Sequence, residues 1–465
     1  MTEFAGQHIL VIGAGVTGRS VVSALVKRGA EVTVTVTDDN TGPLAKLADQ
    51  FPGVRTATGL TELPSGIDLV VTSPGLRPEN PLAHSAQEAG VEVISEVELA
   101  WRLDDGRSTW LAVTGTNGKT TTVGMLASIL QAAGHEVIAC GNIGLPVIDA
   151  VDADREPNSR RILAVELSSF QLYWSSTLAV RAAAILNVTE DHLDWHGTIE
   201  EYAKAKATIY RGDGVAVYNA DDPIVAKLAV DRPHAVPFGA GAPEPGGFGI
   251  VDGHLVDRVF ACREMPQPIA DVADVRPPGP HNVANALAAA ALAMSIGVPA
   301  QAVREGLAAF TPGDHRSVLV AERDGVKYIN DSKATNPDAA RASLLAQPKA
   351  VWLAGGLLKG ANVDDLVLQT REHLAAAVLF GTDRAVIADA LARHAPEVPV
   401  YQVQPGEHGV MDTAVRTAHQ LAQPGDSVLL APSAASMDQF TDYAHRGRAF
   451  AEAVRTVLEG ADQEA

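Results

Sequence analysis

The chain has 465 residues, 46% of them hydrophobic, and a formal net charge of −20. That length predicts two to four domains with ample core, and the acidity argues against a nucleic-acid-binding surface. Two cysteines, Cys140 and Cys262, exclude a disulfide framework or a cysteine metal cluster and suit a reducing compartment.

His8–Ile12 reads as a strand running into G-A-G-V-T-G (Gly13, Gly15, Gly18), followed by a helical pattern through Lys27 and a second strand over Glu31–Thr37. Asp38 then lies about twenty residues past the last glycine, where a dinucleotide fold places a ribose-binding acid. Read alone, this motif predicts NAD, although it guarantees only a glycine turn suited to some phosphate. No basic-then-apolar leader precedes it, so no secretion signal is expected. A strand over Leu69–Thr72, the turn Ser73-Pro74-Gly75, a helix over Ala83–Ala89 and a strand over Val91–Ile94 continue an α/β alternation. Polar Leu103–Ser108 reads as a linker.

Trp110–Val113 reads as a buried strand, and G-T-N-G-K-T then leads into a helix. A strand, a glycine loop and a helix opening in Lys-Thr form a phosphate cradle. Gly115, Thr116, Asn117 and Gly118 would supply the loop, Lys119 the charge for the outer phosphates and Thr120 a hydroxyl for Mg²⁺, with Thr121 a further ATP-binding position. The longer G-x-x-x-x-G-K-[ST] form would need glycine at Val113, so the loop is a shortened variant.

Glu136–Ala139 precedes Gly141-Asn142-Ile143-Gly144, and the strand Ile162–Val165 ends at Glu166, an acid placed to assist Mg²⁺. The strand Ala182–Leu186 precedes Asn187–His196, a loop dense in oxygen and nitrogen donors. A helix over Ile199–Tyr210 carries Lys204 and Lys206, whose bland reading is a solvated face. Val215–Tyr218 is a strand, and Pro237–His254 reads as loops and hairpins. Val283–Val298 is apolar but short for a membrane span and carries Asn285 and Ser295, so a buried helix is expected. Asn282 and Asn285 can share its face. Beyond His315-Arg316, the strands ending at Ile329, Leu353, Phe380 and Leu430 run into polar or glycine turns and predict another doubly wound sheet.

The whole therefore reads as α/β with three domains: Rossmann-like over 1–107, a P-loop ATPase-like parallel sheet over 108–312, and Rossmann-like over 313–465. Seven motifs in order support one reading: T-G-T-N-G-K-T, E-L-S-S-F-Q-L, N-V-T-E-D-H-L-D, H-N-x-x-N, H-R, N-D-S-K-A-T-N and S-M-D-Q-F. Together they resemble the Mur ligases, ATP-dependent amide-forming enzymes of peptidoglycan precursor synthesis. The E-L-S-S-F-Q-L and D-S-K-A-T-N versions resemble the D-glutamate-adding branch.

The resemblance implies ligation of D-glutamate to UDP-N-acetylmuramoyl-L-alanine through an acyl phosphate, giving ADP and phosphate. It replaces NAD in the first domain by the substrate's uridine diphosphate, near Gly15, Val16, Thr17, Asp38, Ser73, Pro74 and Gly75, with Asn142 and Ser168 further along. It implies two Mg²⁺ ions, one on Thr120 and Glu166, the other on His192 and Lys206 as its carbamate (N6-carboxylysine). Asn142 and His192 would lie at the acyl site. ATP would also meet Asn282, Asn285, Arg316, Asp331 and Lys333, and D-glutamate would meet Thr335, Lys359, Ser436 and Tyr443. A cytoplasmic monomer without membrane insertion is expected. The rivals are another Mur-type amino-acid ligase, an NAD-dependent dehydrogenase, and a nucleotide-driven switch.

Overall fold

Runs of buried aliphatic residues build three sheets in a computed structural model that describes residues 4–28, 33–153, 160–260, 263–404 and 409–464. Glu31 and Cys262 lie outside those residues. The first sheet contains β1 (His8–Ile12), β2 (Thr33–Thr37), β3 (Arg55–Ala57), β4 (Leu69–Thr72) and β5 (Glu92–Ser95), all parallel, in the order β3-β2-β1-β4-β5. The strand order reverses at β1, so a crevice opens beyond its C-terminal end, where Gly13–Gly18 turns.

The second sheet contains β6 (Thr109–Thr114), β7 (Val137–Gly141), β8 (Ile162–Glu166), β9 (Ala182–Ile185), β10 (Val215–Asn219), β11 (Ala235–Phe238), β12 (Phe248–Val251), β13 (His254–Asp257) and β14 (Gln267–Asp271). Its order is β14-β13-β12-β11-β10-β9-β6-β8-β7. β6 lies between β9 and β8 and is buried from Trp110 to Thr114, as its continuous apolar run demands of a central parallel strand. The stretch read as loops and hairpins, Pro237–His254, holds β12; the antiparallel run of β12, β13 and β14 extends past it to Asp271.

The third sheet contains β15 (Val318–Arg323), β16 (Val326–Asn330), β17 (Ala350–Gly355), β18 (Leu374–Phe380), β19 (Val400–Gln402) and β20 (Ser427–Leu430), in the order β15-β16-β20-β17-β18-β19. β20 inserts between β16 and β17, with Asn330 and Leu353 both in register with Leu430. The loops that follow these three strands therefore emerge side by side. The antiparallel edge strand β15 and the closing helix Tyr443–Glu464 go beyond the sequence expectation.

The chain divides into two compact units. One is 1–188 with 192–274 and 284–310, and the other is 189–191 with 275–283 and 311–465. The first unit holds both leading sheets. Leu103–Ser108 is not a linker there. The helix Glu96–Asp104 continues to a turn at Asp105, and buried Asp104 accepts from the Ser108 N–H at 2.9 Å and the Trp110 indole N–H at 3.2 Å. On the same helix, buried Glu98 accepts from the N–H groups of Ser176 (3.1 Å), Thr177 (2.9 Å) and Leu178 (3.2 Å). Glu96 accepts from the Ile148 N–H at 2.7 Å. Hydrogen bonds of this kind contribute about 0.5–1.5 kcal/mol each, and together they fasten the helix to the second sheet's loops.

Candidate active site

The second sheet's glycine loop is held open by backbone geometry only glycine adopts readily. Gly118 has φ +86°, and a Cβ there would lie 2.4 Å from the Asn285 Oδ1. Asn187 braces the loop, its carbonyl accepting from the Thr116 N–H at 2.9 Å and its Oδ1 from the Asn117 N–H at 2.8 Å. The helix Lys119–Ala132 opens with no acid in its first turn, leaving the positive end of its dipole uncompensated. Lys119 Nζ donates to the carbonyls of Gly115 and Thr116, both at 2.9 Å. Lys206 Nζ donates to the same Gly115 carbonyl at 2.8 Å and lies 4.3 Å over the Tyr202 ring.

Lys204 fits the solvated-face reading, being exposed and paired with Glu201 at 3.6 Å. Lys206 does not, at 1% exposure. Two positions along a helix is more than half a turn, so the second lysine faces inward.

Glu166 ends β8 opposite Val113 and Gly141 and is 2% exposed. Its Oε2 accepts from the Thr120 hydroxyl at 2.6 Å and its Oε1 from the Asn142 amide at 3.0 Å. A buried carboxylate beside a hydroxyl is an oxygen donor set that fits Mg²⁺. His192 opens the helix Leu193–His196 at φ +54°, with its ring 4.8 Å from Phe170 and 6.4 Å from Tyr202. Neighbouring His196 is pushed down to about 4 by burial, assisted by Lys206 and His192, and its Nε2 pairs with the Ser169 hydroxyl at 2.9 Å. Among the described residues no three His, Cys, Asp or Glu side chains gather to hold a metal. His192 and Lys206 therefore fit a cation only if Lys206 carries carbamate oxygens, since an ammonium has no lone pair to offer.

In the first sheet, a Cβ on Gly13 would lie 2.2 Å from the Ser73 Oγ, so the two loops meet there. The Ser73 hydroxyl donates to the Ile12 carbonyl at 2.9 Å. Asp38 braces the glycine loop: its Oδ2 accepts from the Ala14 N–H and its Oδ1 from the Asn40 N–H, each at 2.7 Å. Gly15 precedes the helix Val16–Val26, whose first residue, Val16, is exposed beside Thr17. Ser168 caps the helix Ser169–Tyr173 in a reciprocal box with Gln171.

In the second unit, Lys333 Nζ lies 4.1 Å over the Tyr443 ring, and the Thr335 N–H donates to the Lys333 carbonyl at 2.8 Å. Asp331 is raised to about 6 by burial, against the pull of nearby Arg316. Buried Asn282 pairs with His281 Nε2 at 3.0 Å. The turn after β17 is fixed by a two-way backbone bridge between Leu357 and Ala435, and the Leu358 N–H donates to Asp383 Oδ2 at 2.7 Å. Lys359 follows at φ +55°, and Ser436 is buried in the turn after β20.

A residue the motifs missed joins these turns. Arg446, fully buried, donates to the Ser332 hydroxyl at 3.0 Å and to the carbonyls of Ser332 (2.8 Å), Ala434 (3.0 Å) and Gly355 (3.4 Å). It sits one turn into the last helix with no pattern to mark it.

Backbone strain singles out the same places. Among the described residues, eight non-glycine residues have positive φ. Asp105, Asp252 and Asp324 each precede a glycine in a turn. The other five are His192, Lys359, Ser433 and the pair His315 and Ser317 that flanks Arg316. Such conformations cost of order 1–3 kcal/mol and persist where surrounding structure imposes them, which is common at functional sites.

Three family signatures match in chain order: "Mur ligase MurD-like, N-terminal domain" over residues 7–95, "Mur ligase middle domain" over 113–293, and "Mur ligase, glutamate ligase domain" over 315–434. The chain belongs to the Mur ligase family. A Mur ligase is an ATP-dependent, amide-forming enzyme. UDP-N-acetylmuramoylalanine--D-glutamate ligase of Streptomyces coelicolor is 52% identical over 469 residues, covering 98% of this chain and 99% of the relative. The protein of the same name from Thermobifida fusca is 52% identical over 463 residues, with the same coverage. Among solved structures, MurF of Acinetobacter baumannii superposes with TM-score 0.62 at 18% identity, covering 96% of this chain and 93% of that one. MurC of Thermotoga maritima gives 0.57 at 20% identity, covering 97% and 99%. These two carry the three-domain Mur fold alone. No helix among the described residues is long and apolar enough to cross a membrane.

Proposed function

We propose that this Mur ligase joins D-glutamate to UDP-N-acetylmuramoyl-L-alanine, with ATP converting the substrate carboxylate to an acyl phosphate and ADP and phosphate as products. The observation that carries the chemistry is the convergence of Lys119 and Lys206 on the Gly115 carbonyl, beside Thr120 and Glu166. A cationic Lys119, a buried carboxylate and a second lysine that can take up CO₂ at one glycine loop suit Mg²⁺-assisted phosphoryl transfer, where positioning and charge stabilisation supply most of the catalysis. The choice of D-glutamate is supported by the near-full-length identity to proteins named for that reaction.

In this reading Gly115–Thr121 and Asn285 cradle ATP, joined by Asn282, Arg316, Asp331 and Lys333. Thr120 and Glu166 hold one Mg²⁺, and His192 with carbamylated Lys206 holds a second. Mg²⁺ supplies charge neutralisation for the transferring phosphoryl group. Asn142 stands at the acyl site. Gly15, Val16, Thr17, Asp38, Ser73, Pro74, Gly75 and Ser168 serve the UDP-substrate, and Thr335, Lys359, Ser436 and Tyr443 serve D-glutamate. Residues 1–107, 108–312 and 313–465 are the three corresponding domains. A monomer acting in the cytoplasm completes this reading.

The test is phosphate release with UDP-N-acetylmuramoyl-L-alanine, ATP and Mg²⁺, varying only the amino acid. Release that needs D-glutamate is expected. Release with another amino acid alone would reassign the substrate, and release without any would leave a nucleotide hydrolase.

A further inference from the structure

The turn that carries Ser73-Pro74-Gly75 touches two sites at once. On one side it meets the first glycine loop at Gly13. On the other, Arg77 Nη1 donates to the Asp194 carbonyl at 2.7 Å and Nη2 to the Asp194 Oδ2 at 2.8 Å. The Trp174 indole N–H also donates to the Leu76 carbonyl, at 3.3 Å. Asp194 lies two residues after His192, within the short helix that His192 opens in a left-handed conformation. A four-residue helix has almost no stability of its own, so its position depends on what grips it.

The geometry points to Arg77 as a positioning residue: its two-pronged hold on Asp194 fixes the His192 turn against the loop that cradles the UDP-substrate. An ordinary exposed ion pair contributes little because water screens it, and these side chains are 54% and 69% exposed. The extra bond to the backbone carbonyl is what makes the contact directional, because it restrains the helix itself and not only the carboxylate tip. Arginine's planar fork satisfies both acceptors together, and lysine's single ammonium cannot.

The inference rests on the proposed function, and a double-mutant cycle separates the two. R77M, D194A and the double variant are compared for kcat in D-glutamate-dependent phosphate release. Isothermal titration with UDP-N-acetylmuramoyl-L-alanine and thermal unfolding accompany each variant. R77M and D194A are each expected to lower kcat roughly 5-fold, the equivalent of about 1 kcal/mol. The double variant should be no worse than either alone, and R77K should resemble R77M. Substrate affinity and unfolding midpoints should stay at the unmodified values, which a merely structural role would not leave unmoved. Additive losses, or weaker substrate binding in R77M but not D194A, would overturn the link and make Arg77 an independent substrate contact. Failure of the proposed function looks different: the unmodified chain then releases no phosphate with D-glutamate.

Discussion

Replacing Arg446 by methionine tests whether the turns after β16, β17 and β20 depend on one buried cation. The guanidinium makes three bonds of 3.0 Å or less, to the Ser332 hydroxyl, the Ser332 carbonyl and the Ala434 carbonyl. At about 1.5–3 kcal/mol for each bond to a charged group, the gross loss is about 5–9 kcal/mol. Burial opposes this, lowering the guanidinium pKa to about 10, which corresponds to about 3 kcal/mol returned when the cation is removed. The group is a base with a depressed folded pKa that still lies above neutrality, so it is charged at pH 7 in both states and that penalty is constant there. The net expectation is about 2–6 kcal/mol of local destabilisation, or a fall of roughly 4–24 °C in the unfolding transition of a domain near 150 residues. Near-UV circular dichroism would follow it, alongside KM for D-glutamate, which should rise while KM for the UDP-substrate does not. R446K should recover little, because it cannot reach all three acceptors. An R446M protein with an unshifted transition and unchanged KM for D-glutamate would refute this account of the turns.

Glu96 makes a pH prediction. Burial raises its carboxyl from 4.5 to about 7. The folded state therefore holds this proton more tightly than the unfolded state, so the group's destabilising share is absent below about pH 4.5. That share grows as pH rises and reaches about 3 kcal/mol above pH 7. E96Q, which keeps an oxygen for the Ile148 N–H, should gain on the parent between pH 5 and 8 in thermal scans; parallel profiles would contradict this. G118A should weaken ATP binding at least tenfold in titration calorimetry, because a left-handed alanine costs of order 1–2 kcal/mol and its Cβ would meet the Asn285 Oδ1. Retained affinity would show that the loop gives way easily. K206M should abolish phosphate release and remove any carbamate carbon signal seen by NMR after incubation with ¹³C-bicarbonate. A signal that persists would place the modification elsewhere.

Much of the site was legible because it is local. The cradle needs a strand, Gly118 and Lys119-Thr120 in immediate succession, and each strand end predicted from an apolar run stands within a residue or two of its place. Glu166 could be located from sequence because it ends a buried run, and a buried acid needs a partner. Lys206 could not be separated from Lys204 by composition or by helix propensity; only the packing of the helix Ile199–Ala207 turns one inward and the other outward. Leu103–Ser108 misled for a related reason. Its Asp-Asp-Gly reads as a polar connection, yet Asp104 is buried beneath Trp110, and tertiary hydrogen bonds outweigh the local preference.

Sequence by itself determined the α/β alternation, the three glycine- or lysine-bearing loop sets and the family, since these are written in contiguous residues with short-range geometry. Tertiary structure alone decided which loops are neighbours. β20 is the last strand in the chain but enters the third sheet between β16 and β17, and this brings Ser332, Gly355 and Ala434 within reach of one arginine. Strand order, and contacts such as Arg77 with Asp194 across 117 residues, come from packing whole sheets and helices against one another. That energy is shared among many residues, and no short motif carries it.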